Sequence, residues 1–200
     1  MSSNVNRRSF LRDIMLLSAG AGAGTMGLRS WNSPIASLNA APGDRVSFEQ
    51  RLKDLKIELP PPGKPVAVYV PAVVTGNLLY TAGHIPWLAD GKLQQGRVGS
   101  DLTVEQGAEA ARLVGLHILT TVQQTLKSLD RVSRLVKVLG MVNCTDDFTQ
   151  QPKVINGFSE LMVQVFGEHA GKGGRSAIGV NTLPSNVPVE IEAIFEILPG

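Results

Sequence analysis

Near the C-terminus the run GGRSAIGVNTLPSNVPVEIEAIFEI, Gly173 to Ile197, carries a single arginine, Arg175. A turn follows, then a strand-like stretch bearing Glu190, Glu192 and Glu196. A guanidinium can grip a carboxylate through two parallel hydrogen bonds. A carboxylate can orient a water molecule or take its proton. The run therefore holds either a chemical site built on Arg175 and Glu190 or charges that only dress the edge of a sheet. Alternation sorts the last strand into two sets. Val189, Ile191, Ala193, Phe195 and Ile197 point one way, and Glu190, Glu192, Ile194 and Glu196 point the other.

Several elements must position these residues. SFEQRLKDLKIEL, Ser47 to Leu59, predicts a short amphipathic helix with Ser47 as its N-cap, and PPPGKP breaks the chain after it. VAVYVPAVVTG and NLLYTAGHIP, joined at Gly76 and Asn77, predict a hairpin. The span from Asp101 to Leu129 predicts a long helix opened by a Thr103–Gln106 capping box. Gly107 and Gly115 within it predict close packing on a sheet, and His117 reads as a core or edge histidine. Arg131 to Thr145 predicts a strand, and QPKVINGFSELMVQVFGEH a second long helix with Pro152 in its first turn. Arg175 to Thr182 and Val187 to Ile197 complete the order β-β-α-β-α-β-β. This is an α+β domain whose two long helices cover one face of the sheet. The other face, with Glu190, is left for a subunit contact or for water.

The chain has 200 residues, 43% of them hydrophobic, which suits one domain with a proper core. No apolar run is long enough to span a bilayer as a stable helix. The N-terminus reads as separate from that domain. NRRSFLRD, with Arg7 and Arg8 before Phe10 and Leu11, precedes the Gly/Ala-rich segment IMLLSAGAGAGTMGL. This resembles a twin-arginine export signal, the alternative being a basic tail. Residues 1–40 would be signal and linker, cleaved near Ala40 or kept as an anchor, and residues 47–200 the domain. Export would place the domain in the periplasm; without it the protein stays cytoplasmic. Removing residues 1–40 takes away four of the 19 basic and one of the 17 acidic side chains, leaving 15 against 16, a net of −1. Nucleic-acid binding demands a basic excess, so none is expected. Cys144 stands alone and reads as a buried, inert thiol. His84, His117 and His169 lack ligand spacing, which gives a metal site no support.

YVPAVVTGNLLYTAGHIP, DLTVEQGAEAARLVGLHIL, INGFSELMVQVFGEH and the R-S-A…L-P…V-E-I-E-A ending together resemble the RidA/YjgF family, in its branch called YjgF/chorismate-mutase-like putative endoribonuclease. The resemblance implies a chorismate-mutase-like fold, a homotrimer with an inner barrel of sheets, and a cleft at each subunit interface. It implies hydrolysis of enamine and imine intermediates to a 2-oxo acid and ammonia, with no cofactor or metal. By resemblance Arg175 anchors the substrate carboxylate and Glu190 handles the water. Tyr69 is a hydrogen-bond partner or wall, and Gly83 places its backbone beside the ligand. Asn156 borders the cleft. His84 stands where family members have Gln, and Ala177 where they have Cys, which removes cysteine chemistry. A non-catalytic binder of small carboxylates and a ribonuclease are the competing functions.

Overall fold

The computed structural model describes residues 47–63 and 68–199. The Arg7–Arg8 pair and the region near Ala40 lie outside these residues. Helix α1, Phe48–Asp54, starts at Ser47, whose hydroxyl accepts from the Gln50 amide. Strands β1 (Ala72–Thr75) and β2 (Leu78–Thr81) form the expected hairpin, with Gly76 taking a positive φ of 57° in the turn. Helix α2 (Val104–Leu126) opens with the expected capping box. Strand β3 (Val132–Asn143), helix α3 (Gln151–Gly171), strand β4 (Gly174–Val180) and strand β5 (Val189–Ile197) follow.

The hairpin is shorter than the sequence predicts. The Pro71 carbonyl accepts from the Ala82 amide, but Pro71 has no N–H to return. The ladder between the two strands therefore stops at Ala72–Thr81. Beyond it β2 continues only as a bridge between His84 and Ile191, each donating its amide to the other's carbonyl.

The five strands lie in the order β1-β2-β5-β3-β4. β5 is antiparallel to β2 and β3, whereas β4 runs parallel to β3 after the α3 crossover and forms an edge. Val189, Ile191, Ala193, Phe195 and Ile197 are buried with Val138 and Val142 of β3 and the apolar stripes of α2 and α3, so the helices cover one face of the sheet, as expected. The closest helix contact is between α2 and α3. A side chain on Gly157 would run into the carbonyl of Ala108. Gly115 faces Leu161 and Phe158, and Gly107 faces Val154 and Val98. These glycines thus serve the helix pair and the loop before α2, not the sheet as predicted, because α3 lies against that side of α2.

The opposite face carries Glu190, Glu192, Ile194 and Glu196 of β5, with exposed Val73, Tyr80 and Ile178 on neighbouring strands. No described helix covers it.

Candidate active site

Strand register decides how the candidate residues meet. Arg175 pairs with Val138, which pairs with Ala193, and both partners belong to the helix-covered face. Glu190 pairs with Met141, which pairs with Ile178, one pleat out of phase and on the open face. Within one chain, Arg175 and Glu190 therefore point to opposite sides of the sheet, and they line different cavities.

Arg175 lies on the edge strand β4 against helix α3. One terminal nitrogen of its guanidinium donates to Asn156 Oδ1 at 2.9 Å and to Ser159 Oγ at 3.0 Å. Both hydrogens of that nitrogen are spent, which fixes the plane of the group. The other terminal nitrogen and Nε have no described partner and form a free two-pronged donor edge. No described carboxylate pairs with Arg175. The cavity beside it, about 520 Å³, is bordered by Leu135, Val138, Asn156, Ser159 and Lys172, among others. The structure brings Asn156 and Arg175 together. Ser159 was not anticipated, although it stands three residues after Asn156 on the same helical face.

Glu190 is half-buried and has no hydrogen bond or ion pair with a described residue. Desolvation raises its carboxyl above the ordinary carboxylate range, and the neighbouring Glu192 charge pushes the same way. Its carboxylate folds over Gly83, where even a methyl group would collide with Glu190 Oε1. Gly83 thus leaves room for the close approach of Glu190. The cavity here, about 440 Å³, joins Glu190 to Tyr69, Gly83, His84, Trp87 and His117. Tyr69 is partly exposed at its mouth and makes no side-chain hydrogen bond to a described residue.

His84 turns its ring into the helix side of this cavity. Ala82 O can only accept, so His84 Nδ1 donates to it, at 2.8 Å. Nε2 then accepts from the Thr121 hydroxyl of α2, also at 2.8 Å. Burial lowers the His84 pKa from its ordinary 6.5; the Ala82 bond opposes this shift and His117 adds to it. The neutral ring is thus held in one tautomer. His117, one turn before Thr121, donates from Nε2 to the Trp87 carbonyl at 2.9 Å and ties the loop after β2 to the helix. The sequence reads His117 as a core or edge histidine, and the structure finds it buried and on the cavity wall. Its spacing of four from Thr121 was the available signal. Pro184 closes the far rim, in a turn pinned by Gln95 Nε2 donating to Ser185 O and Gly96 N to Asn186 O.

The arrangement offers a fixed cationic fork and a desolvated carboxylate, one on each side of the sheet. Comparisons with known proteins show the family. The family model described as YjgF/chorismate mutase-like, putative endoribonuclease matches residues 49–194. Protein TCP17 of Trypanosoma cruzi is 40% identical over 146 residues, covering 73% of this chain and 91% of that protein. The solved structure of Atu1372, of unknown function, from Agrobacterium tumefaciens is 40% identical with a TM-score of 0.69, over 76% of this chain and 94% of that one. That of a putative endoribonuclease from Shewanella oneidensis is 30% identical with a TM-score of 0.72, over 76% and 100%.

Proposed function

The chain belongs to the YjgF/chorismate-mutase-like family, and from that premise we propose that it hydrolyses 2-imino acids and their enamine tautomers to 2-oxo acids and ammonia. The observation that carries this reading is the pair of half-sites: a fixed guanidinium whose other donor edge has no partner among the described residues, and a desolvated carboxylate with none among them either. Arg175 binds the substrate carboxylate side-on. Glu190 takes a proton from a water whose oxygen adds to the imine carbon. It returns the proton to the nitrogen, which gives a carbinolamine; the hydroxyl proton then passes through Glu190 to the same nitrogen, which leaves as ammonia as the carbon–oxygen double bond forms. A carboxyl with a raised pKa suits both transfers. Tyr69 and the Gly83 backbone border the reacting atoms.

Opposite faces of one sheet cannot serve one small ligand, so this reading needs a second copy. We place the site where the Arg175 edge of one subunit meets the Glu190 cavity of the next, in a homotrimer. The exposed Val73, Tyr80 and Ile178 on the uncovered face favour such an assembly. Purified protein should release ammonia from 2-iminobutyrate faster than buffer does. A folded trimer no faster than buffer would remove the enzymatic reading.

Ala177, in place of the family cysteine, favours a second reading in which the same cleft binds small carboxylates without turnover. Binding without ammonia release selects it. The relatives' endoribonuclease names suggest a third, against which stands the net charge of −1 beyond residue 40. Export by the Arg7–Arg8 motif belongs to the same proposal. Substituting both arginines by lysine should hold the protein in the cytoplasm, and normal export of that variant would dismiss the motif.

A further inference from the structure

We propose that the cavity beside Glu190 is a specificity pocket for an uncharged, bulky side chain, which makes branched and aromatic 2-imino acids the substrate class. The inference rests on the reading of the cleft as a 2-imino acid site, and deepens it. With the carboxylate held at Arg175 and the reacting carbon at Glu190, the cavity is what remains for the rest of the substrate.

Its size and wall chemistry support this use. About 440 Å³ lies within the range of small-molecule sites and far exceeds a methyl or ethyl group. Pro71, Ile85, Trp87 and Pro184 supply apolar surface from three separate loops. The polar groups on the helix side are already committed. His84 has both ring nitrogens occupied, by Ala82 O and Thr121 Oγ1. Nε2 of His117 is occupied by the Trp87 carbonyl. The Thr121 hydroxyl spends its proton on His84. No described lysine or arginine lines the cavity, and its one carboxylate, Glu190, repels a second negative charge. Among the described residues an acidic side chain would find only the Tyr69 hydroxyl to pair with, whereas an apolar one gains the area it removes from water.

Calorimetric titration of the full chain with the stable product analogues pyruvate, 4-methyl-2-oxopentanoate, phenylpyruvate and 2-oxoglutarate tests the proposal. The branched and aromatic acids should bind about tenfold or more tightly than pyruvate, as a few buried carbons provide. 2-Oxoglutarate should bind most weakly. Trp87→Ala should collapse the preference for phenylpyruvate over pyruvate. Trp87→Leu, which keeps an apolar side chain and guards against misfolding, should reduce it. Equal affinities, or tightest binding of 2-oxoglutarate, would overturn the pocket and leave the acid-binding site standing. A preference unchanged in either folded variant would overturn the assignment of its wall. Failure of all four acids to bind would end both readings.

Discussion

Arg175 sits at an open sheet edge, exposed, yet its guanidinium is held by the two hydrogen bonds it donates to helix α3. Glu190 sits half-buried in the mouth of the other cavity and is held by none from a described residue. A surface arginine usually keeps its freedom in water, and a desolvated carboxylate usually acquires a partner. Each is the reverse of what stability alone would select. Ordering the guanidinium in advance lowers the entropy lost when a ligand binds. Leaving the carboxylate unpaired keeps its pKa raised and its lone pairs free for a proton. The two regions thus look like complementary halves: one prepared to hold, the other prepared to react.

That contrast can be broken from either side. The largest expected effect is on turnover. Glu190→Gln keeps the shape and removes the base, so ammonia release should fall by about a hundredfold or more. Binding of a small carboxylate should hold or improve. Loss of binding together with turnover would make Glu190 part of the anchor. Next comes Arg175→Ala, which should weaken carboxylate binding by about ten- to a hundredfold, read by calorimetry. Arg175→Lys should recover only part, because an ammonium cannot present the planar fork. Wild-type affinity in the alanine variant would reduce Arg175 to a structural charge.

A finer test moves the carboxylate without removing it. In Gly83→Ala the new methyl meets only the mobile end of Glu190. Thermal stability should change little, while turnover should fall about tenfold through misplacement. Unchanged turnover would show that the position of Glu190 over Gly83 is incidental. The smallest effect concerns His84, which folds neutral with a pKa lowered by burial. The unfolded chain takes up this proton below about pH 6.5, so the His84 contribution is present above that pH and lost as pH falls through the folded value. His84→Gln should flatten this acid limb, seen as melting temperatures less dependent on pH between 7.5 and 5. Parallel curves for the two proteins would place a charged or solvated imidazole at this position.

The sequence makes some of this legible and hides the rest for definite reasons. The capping box at Thr103 and Gln106 marks the start of α2, since both partners lie within one turn of chain. The alternation of β5 separates Glu190 from the core residues because a period of two needs no distant information. The side of the sheet taken by Arg175 is different. GRSAIGV has weak alternation, and its parallel register on β3 is fixed only when α3 packs down. Arg175 and Glu190 therefore lie on opposite faces of the sheet within a chain, although one short run of sequence holds both. The short hairpin has a local cause, the missing N–H of Pro71. The links from His84 to Thr121 and from His117 to the Trp87 carbonyl span 37 and 30 residues, so no local pattern announces them.

The central claim is that Arg175 of one subunit and Glu190 of its neighbour form one site. Mixing the two variants Arg175→Ala and Glu190→Gln, each nearly inactive alone, tests it most directly. After the mixture is unfolded and refolded together, random trimers contain interfaces that combine an intact Arg175 with an intact Glu190. About a quarter of the interfaces have this composition, so the mixture should regain about a quarter of the wild-type rate of ammonia release. A mixture no more active than its components, in trimers shown to have exchanged subunits, would contradict the shared site.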